Sequence, residues 1–147
     1  MGFRNILVPT DGSALSRRAT ALAAELAAKF DAELTSVYVV PEGVPTIFSG
    51  DKLYASPAMA PQYRAALRAA ADAALAAVAK AADAANVRHS SVRARSPSPW
   101  KAIVHAAQSR KCDLIVMGTH GRRGLYMLGS QTLRAIAHTR IPILVCR

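Results

Sequence analysis

Apolar residues in this chain follow two alternating patterns. Short unbroken aliphatic runs are separated by longer, alanine-rich stretches in which larger apolar side chains recur every three or four positions. Ile6-Leu7-Val8 is the first run, and it ends in Pro9-Thr10-Asp11-Gly12-Ser13, a turn followed by a helix cap. Leu15, Ala19, Leu22, Leu26 and Phe30 then recur at helical spacing. Glu33 to Val40 is rich in β-branched residues and reads as a second strand. Residues 41–60 contain Pro41, Pro45 and Pro57, with Pro61 just beyond, and read as one long irregular loop.

Gln62 to Ala85 reads as a long helix with a buried stripe of Tyr63, Leu67, Ala71, Leu75, Val78 and Ala82, and with Arg68 and Asp72 placed for an i,i+4 ion pair. Val87 to Ala94 is a weak, polar strand of the kind that suits a sheet edge. Ser96-Pro97-Ser98-Pro99 opens a third helix, with Ser98 as its cap and Ile103, Val104 and Ala107 inward. Asp113 to Gly118 is the fourth strand, Gln131 to His138 a fourth helix capped by Ser130, and Pro142 to Cys146 the fifth strand.

Strands separated by helices of this length imply right-handed crossovers, and so a parallel sheet covered on both faces. The expectation is a single α/β, Rossmann-like domain over residues 1–147. Ligands of such folds bind beyond the strand C-termini, where the strand order reverses. If the first and fourth strands are neighbours there, Asp11 and the segment after Gly118 face one crevice. The run Ile143-Leu144-Val145-Cys146 carries no charge. As an outer strand it would be an apolar open edge, and the expectation is a homodimer paired through residues 142–146.

Composition narrows the function. No apolar run approaches the ~20 residues of a membrane span, and the N-terminus enters the first strand without a basic-then-apolar leader, so a cytoplasmic protein is expected. Cys112 and Cys146 fall at opposite ends of neighbouring predicted strands, too far apart for a disulfide. The net charge is +10 and unevenly placed: residues 86–147 hold eleven Lys and Arg against one acid, Asp113. That half should attract anions, whether nucleotide phosphate, nucleic acid or an acidic partner. Arg88, Arg93 and Arg95 lack interleaved aromatic residues, which argues against RNA recognition by stacking.

The candidate chemistry lies in Gly118-Thr119-His120-Gly121-Arg122-Arg123-Gly124, followed by Gly129-Ser130. Glycines between a strand and a helix let backbone N–H groups approach an anion, and the helix N-terminus adds further donors. The pattern reads as a phosphate cradle. Arg122 and Arg123 are placed to clamp phosphate, and Ser130 to bond a phosphate oxygen. No Gly-Lys-[Ser/Thr] ending marks a Walker-type NTPase, and no Gly-x-Ser-x-Gly elbow marks a hydrolase. The four histidines are not at metal-ligand spacing; His105 and His138 read as surface or packing residues.

Three segments together, Ile6 to Ser13, Asp113 to Leu125 and Ile141 to Val145, resemble the universal stress protein (UspA) family across essentially the whole chain. The resemblance implies five parallel strands in the order 3-2-1-4-5, a cytoplasmic dimer and a role in stress responses. Its ATP-binding branch uses a Gly-x2-Gly-x9-Gly-[Ser/Thr] cradle. By position, Pro9, Thr10 and Asp11 match its first-strand end and Val39 its second-strand backbone contact. Gly118, His120, Gly121, Gly129 and Ser130 match its phosphate loop, with Arg122 alongside and Gln131 and Thr132 next to it on the helix. The spacing departs from that branch: seven residues, not nine, separate Gly121 from Gly129.

Three functions follow as expectations. The first is an adenine-nucleotide-binding stress regulator, with ATP, Mg2+ and at most slow hydrolysis. The second is a family dimer that binds no nucleotide and acts through an unidentified protein partner. The third is weak nucleic-acid binding by the basic C-terminal half.

Overall fold

Parallel pairing of the aliphatic runs builds the framework. In the computed structural model, residues 2–42, 46–49, 52–119 and 129–147 are described. In chain order, β1 (Asn5–Pro9) leads through α1 (Ala14–Phe30) to β2 (Glu33–Val40). A short pair, β3 (Thr46–Ser49) and β4 (Lys52–Ala55), precedes a 3-10 turn (Pro57–Met59) and α2 (Ala60–Ala84). Then come β5 (His89–Arg95), α3 (Pro99–Ser109), β6 (Leu114–Gly118), α4 (Ser130–His138) and β7 (Ile143–Cys146). The main sheet has the order β5-β2-β1-β6-β7, with every neighbouring pair parallel. In terms of its five strands this is 3-2-1-4-5, as expected.

Alternation along the strands divides the core between two layers. Ile6, Val8, Leu34, Leu114 and Val116 face α1 and α2, where they meet Ala19, Ala23, Ala27, Val78 and Ala82. Leu7, Val37, Ile115 and Met117 face α3 and α4, against Ile103, Val104, Ala107 and Ala135. Three elements differ from the sequence reading. The buried face of α1 is Ser16, Ala19, Thr20, Ala23, Ala24 and Ala27. Leu22 and Leu26 are only partly buried beside it, and Phe30 is 41% exposed. Small side chains let the helix axis lie close to the sheet, so the larger residues flank the contact.

Residues 41–60 are not wholly irregular. β3 and β4 pair antiparallel with Thr46 opposite Ala55 and Ser49 opposite Lys52. Both stretches hold residues that favour extended backbone, Ile47, Phe48 and Tyr54 among them. Finally, Asp72 pairs not with Arg68 but with Arg93 on β5. A cross-element partner thus replaces the expected one along the helix.

Both cysteines are free, and burial of the Cys112 thiol pushes its pKa up to about 11. At the N-terminal end of the sheet, the Thr35 hydroxyl donates to Asn5 Oδ1 (2.9 Å), and Asn5 Nδ2 donates to the Arg110 carbonyl (2.9 Å). The fully buried Ser36 hydroxyl lies 3.0 Å from His89 Nε2. Desolvation lowers the His89 pKa below its ordinary value, and the carboxylates of Asp83 and Glu33 oppose this only partly.

A base with a depressed pKa binds its proton more readily in the unfolded chain. Its contribution to stability is therefore present above about pH 6.5 and is lost as pH falls through the lower folded value. Urea midpoints measured from pH 7.5 down to 5 should decline, and His89→Gln should flatten that decline. An equal slope in both proteins would remove His89 from the account.

Candidate functional site

The site begins where β1 stops. Thr10 N–H still donates to the Val37 carbonyl (2.9 Å), which extends the ladder by one residue. The chain then turns at Gly12, whose φ of 79° suits glycine. Asp11 Oδ1 accepts from Ser13 N–H (2.9 Å), and Thr10 Oγ1 accepts from Gly12 N–H (3.2 Å). Ser13 caps α1, its hydroxyl accepting from Ser16 N–H (3.2 Å). Arg17 reaches back to donate to the Gly12 carbonyl (2.9 Å). These local bonds hold Thr10 and Asp11 at the C-terminal rim of the sheet.

The other side is built where β6 stops. Thr119 N–H donates to the Cys146 carbonyl (3.0 Å), and the Thr119 carbonyl accepts from Gly129 N–H. Buried Thr132 donates its hydroxyl to the Gly118 carbonyl (3.0 Å). The start of α4 is thereby clamped to the end of β6, and Gly129 returns there despite the shorter glycine spacing. Ser130 is not the helix cap: Gly129 takes that position without a side chain, and Ser130 is the exposed first residue of the helix.

The cap expected of Ser98 also comes from elsewhere. Ser98 stands at the N-cap of α3 but makes no side-chain cap bond. Its N–H donates to Ser96 Oγ (3.0 Å), while Gln131 Oε1 on α4 accepts from Trp100 N–H (3.1 Å). Trp100 in turn stacks on His138, with ring centroids 4.4 Å apart. Gln131 therefore locks α3 and α4 together at the rim.

Between these elements lies a crevice of about 260 Å³. Pro9, Thr10, Asp11, Val39, Gly118, Gln131 and Thr132, all picked out from the sequence, line it. Gly129 and Ser130 are not among its walls, and His120, Gly121 and Arg122 lie outside the described residues. Sequence reasoning missed Val37, Ile103, Met117 and Pro99, which supply the apolar walls. Their signal was strand parity, because Val37 and Val39 on β2 must point the same way.

Asp11 is the only carboxylate lining the crevice, and no Lys, Arg or His lines it among the described residues. Thr10, Ser13, Ser16 and Thr132 contribute hydroxyls, so the described walls offer hydrogen bonds and apolar contact. Among the described residues no group of three His, Cys, Asp or Glu could hold a metal ion, and no helix is long and apolar enough to cross a membrane.

An open parallel sheet with a crevice at its switch point, walled by the first βα turn and the start of the last helix, defines a Rossmann-like α/β protein. Comparison with known proteins carries this further. The universal stress protein family model matches residues 2–147. A universal stress protein of Methanocaldococcus jannaschii, MJ0531, is 34% identical over 152 residues, covering 99% of this chain and 82% of the relative.

Among solved structures, UspA from Lactobacillus plantarum superposes with a TM-score of 0.80 at 27% identity, covering 100% of this chain and 99% of the other. A universal stress protein in complex with cAMP superposes with a TM-score of 0.66 at 25% identity, covering 99% and 97%. This chain belongs to the universal stress protein family.

Proposed function

We propose that this protein is an adenine-nucleotide-binding regulator of stress responses, with ATP as ligand and at most slow hydrolysis. The observation that carries the reading is the crevice itself, which joins Thr10 and Asp11 to Val39, Gly118 and the start of α4. Its cAMP-bound relative supports an adenine nucleotide as the occupant. The apolar walls of Val37, Val39, Ile103 and Met117 suit a base, and Asp11 suits a donor from base or ribose.

At about 260 Å³ the crevice falls just below the usual ligand-pocket range of ~300–1,000 Å³, so it takes the nucleoside end. The phosphates pass Gly118 toward Gly129 and Ser130, where the N-terminus of α4 favours negative charge. By sequence position His120, Gly121 and Arg122 join that phosphate end. Mg2+ arrives with the nucleotide, since Asp11 alone among the lining side chains offers it a carboxylate. Slow turnover fits a crevice in which, among the described lining residues, Asp11 is the one acid or base available to orient water.

Isothermal titration with ATP–Mg2+ tests this. One site per chain is expected, and Asp11→Asn should weaken it about tenfold or more, the size of a hydrogen bond to a charged group. No heat at millimolar ATP would overturn the reading. It would leave the family member that acts through a protein partner, a reading the short Gly121–Gly129 spacing favours.

The same proposal includes a dimer and a cytoplasmic setting. β7 is an outer strand, its Leu144 is 38% exposed, and Leu133 and Ile136 of α4 are exposed nearby in sequence. Pairing of β7 with a second copy would cover this edge. Light scattering at micromolar concentration should give twice the chain mass for the native protein and the chain mass for Leu144→Asp. A native monomer would exclude the dimer.

A further inference from the structure

Cations also gather on the opposite edge of the sheet, at outer strand β5. Arg93 and Arg95 of β5 and Arg64 and Arg68, one turn apart on α2, share a cleft of about 220 Å³ floored by Val40 and Leu67. Arg95 also lines a second hollow of about 480 Å³, together with Lys101, His105 and Arg110 on α3 and just beyond it. Among the described residues neither hollow has a carboxylate in its lining. Asp72 engages Arg93, and among the described residues Arg64, Arg68 and Arg95 have no ion-pair partner. The basic surface is thus not confined to the C-terminal half of the chain, because α2 supplies two of its guanidinium groups.

Holding like charges in one cleft costs stability unless an anion offsets them. Planar guanidinium forks match phosphate oxygens in bidentate fashion. Because Arg95 belongs to both hollows, the positive surface continues round the β5 edge, and a single phosphate would leave half of it unused. Among the described residues no Phe, Tyr, Trp, Asn or Gln side chain lines either hollow, so the usual platforms for base stacking and the usual readers of adenine are missing there, while the guanidinium groups match phosphate.

We propose that the β5 edge binds a linear chain of phosphates, gripped by Arg64, Arg68, Arg93 and Arg95 on one face and by Lys101 and Arg110 on the other. This site is separate from the crevice and shares none of its lining residues, and its grip is on phosphate.

Titration of the full chain with sodium tripolyphosphate and with long-chain inorganic polyphosphate tests the proposal. R64Q/R68Q, in exposed positions on α2, should weaken tripolyphosphate about tenfold, and K101Q/R110Q should weaken it by less. Either pair should weaken the long chain, and its affinity should fall steeply with salt. Asp11→Asn should change neither.

Equal binding by R64Q/R68Q and the native protein, or no binding of either probe at low salt, would overturn the site. A single-stranded dT oligomer that binds more tightly than polyphosphate of equal phosphate count would overturn recognition by phosphate alone. Polyglutamate of equal charge that binds as tightly as polyphosphate would overturn the choice of phosphate over carboxylate.

Discussion

Truncation of Ile115 to alanine is expected to cost about 2–5 kcal/mol of unfolding free energy, the range for aliphatic-to-alanine changes in packed cores. Ile115 is fully buried on β6, the strand between β1 and β7, with Leu7 and Ile143 as its register neighbours. Its side chain belongs to the layer formed with Ile103, Val104 and Ala107 of α3 and Ala135 of α4. A central strand held on both sides has little freedom to collapse into the space left, so the cavity persists.

Half-buried Val92 on edge strand β5 lies in the same layer, and its truncation should cost less, about 1 kcal/mol. Urea unfolding at one fixed protein concentration measures both, because self-association would add to apparent stability. A cost below about 1 kcal/mol for Ile115→Ala would mean that α3 and α4 do not close over the sheet as a packed layer.

That layer was legible in the sequence because its pattern is strong. Ile115 sits in an apolar run, and Ile103, Val104 and Ala107 recur at helical spacing, so the strands and helices of this layer were placed within a few residues of their observed ends. The crevice was legible in part, since the β1 end and Gly118 follow from topology and Val39 from the family resemblance. What escaped depended on contacts distant in the chain.

Ser98 looked like a cap because the sequence shows only its neighbours. The residue that accepts from Trp100 N–H is Gln131, on another helix. Arg68 and Asp72 looked like a pair for the same reason, and Arg93 took the acid from across the sheet edge. On α1 the larger leucines suggested the buried face, but close approach of helix to sheet selected the alanines. In each case a tertiary neighbour overrode a local rule.

Filling the crevice is expected to abolish nucleotide binding while leaving the fold in place. Val39 is half-buried on β2 and lines the crevice, so Val39→Trp directs an indole into a space of about 260 Å³. A tryptophan side chain buries ~150–250 Å² when packed, and here Val37, Ile103 and Met117 offer it apolar walls. The indole therefore competes for the surface proposed to hold the base, and its own burial offsets much of the strain of insertion.

Calorimetric heat with ATP–Mg2+ should disappear in Val39→Trp and persist in Val39→Ile, with far-UV circular dichroism unchanged in both. Ile103→Trp approaches from α3 and blocks the same space independently, so misfolding of one variant would leave the other to decide. Native affinity in a folded variant carrying either tryptophan would place the nucleotide somewhere other than this crevice.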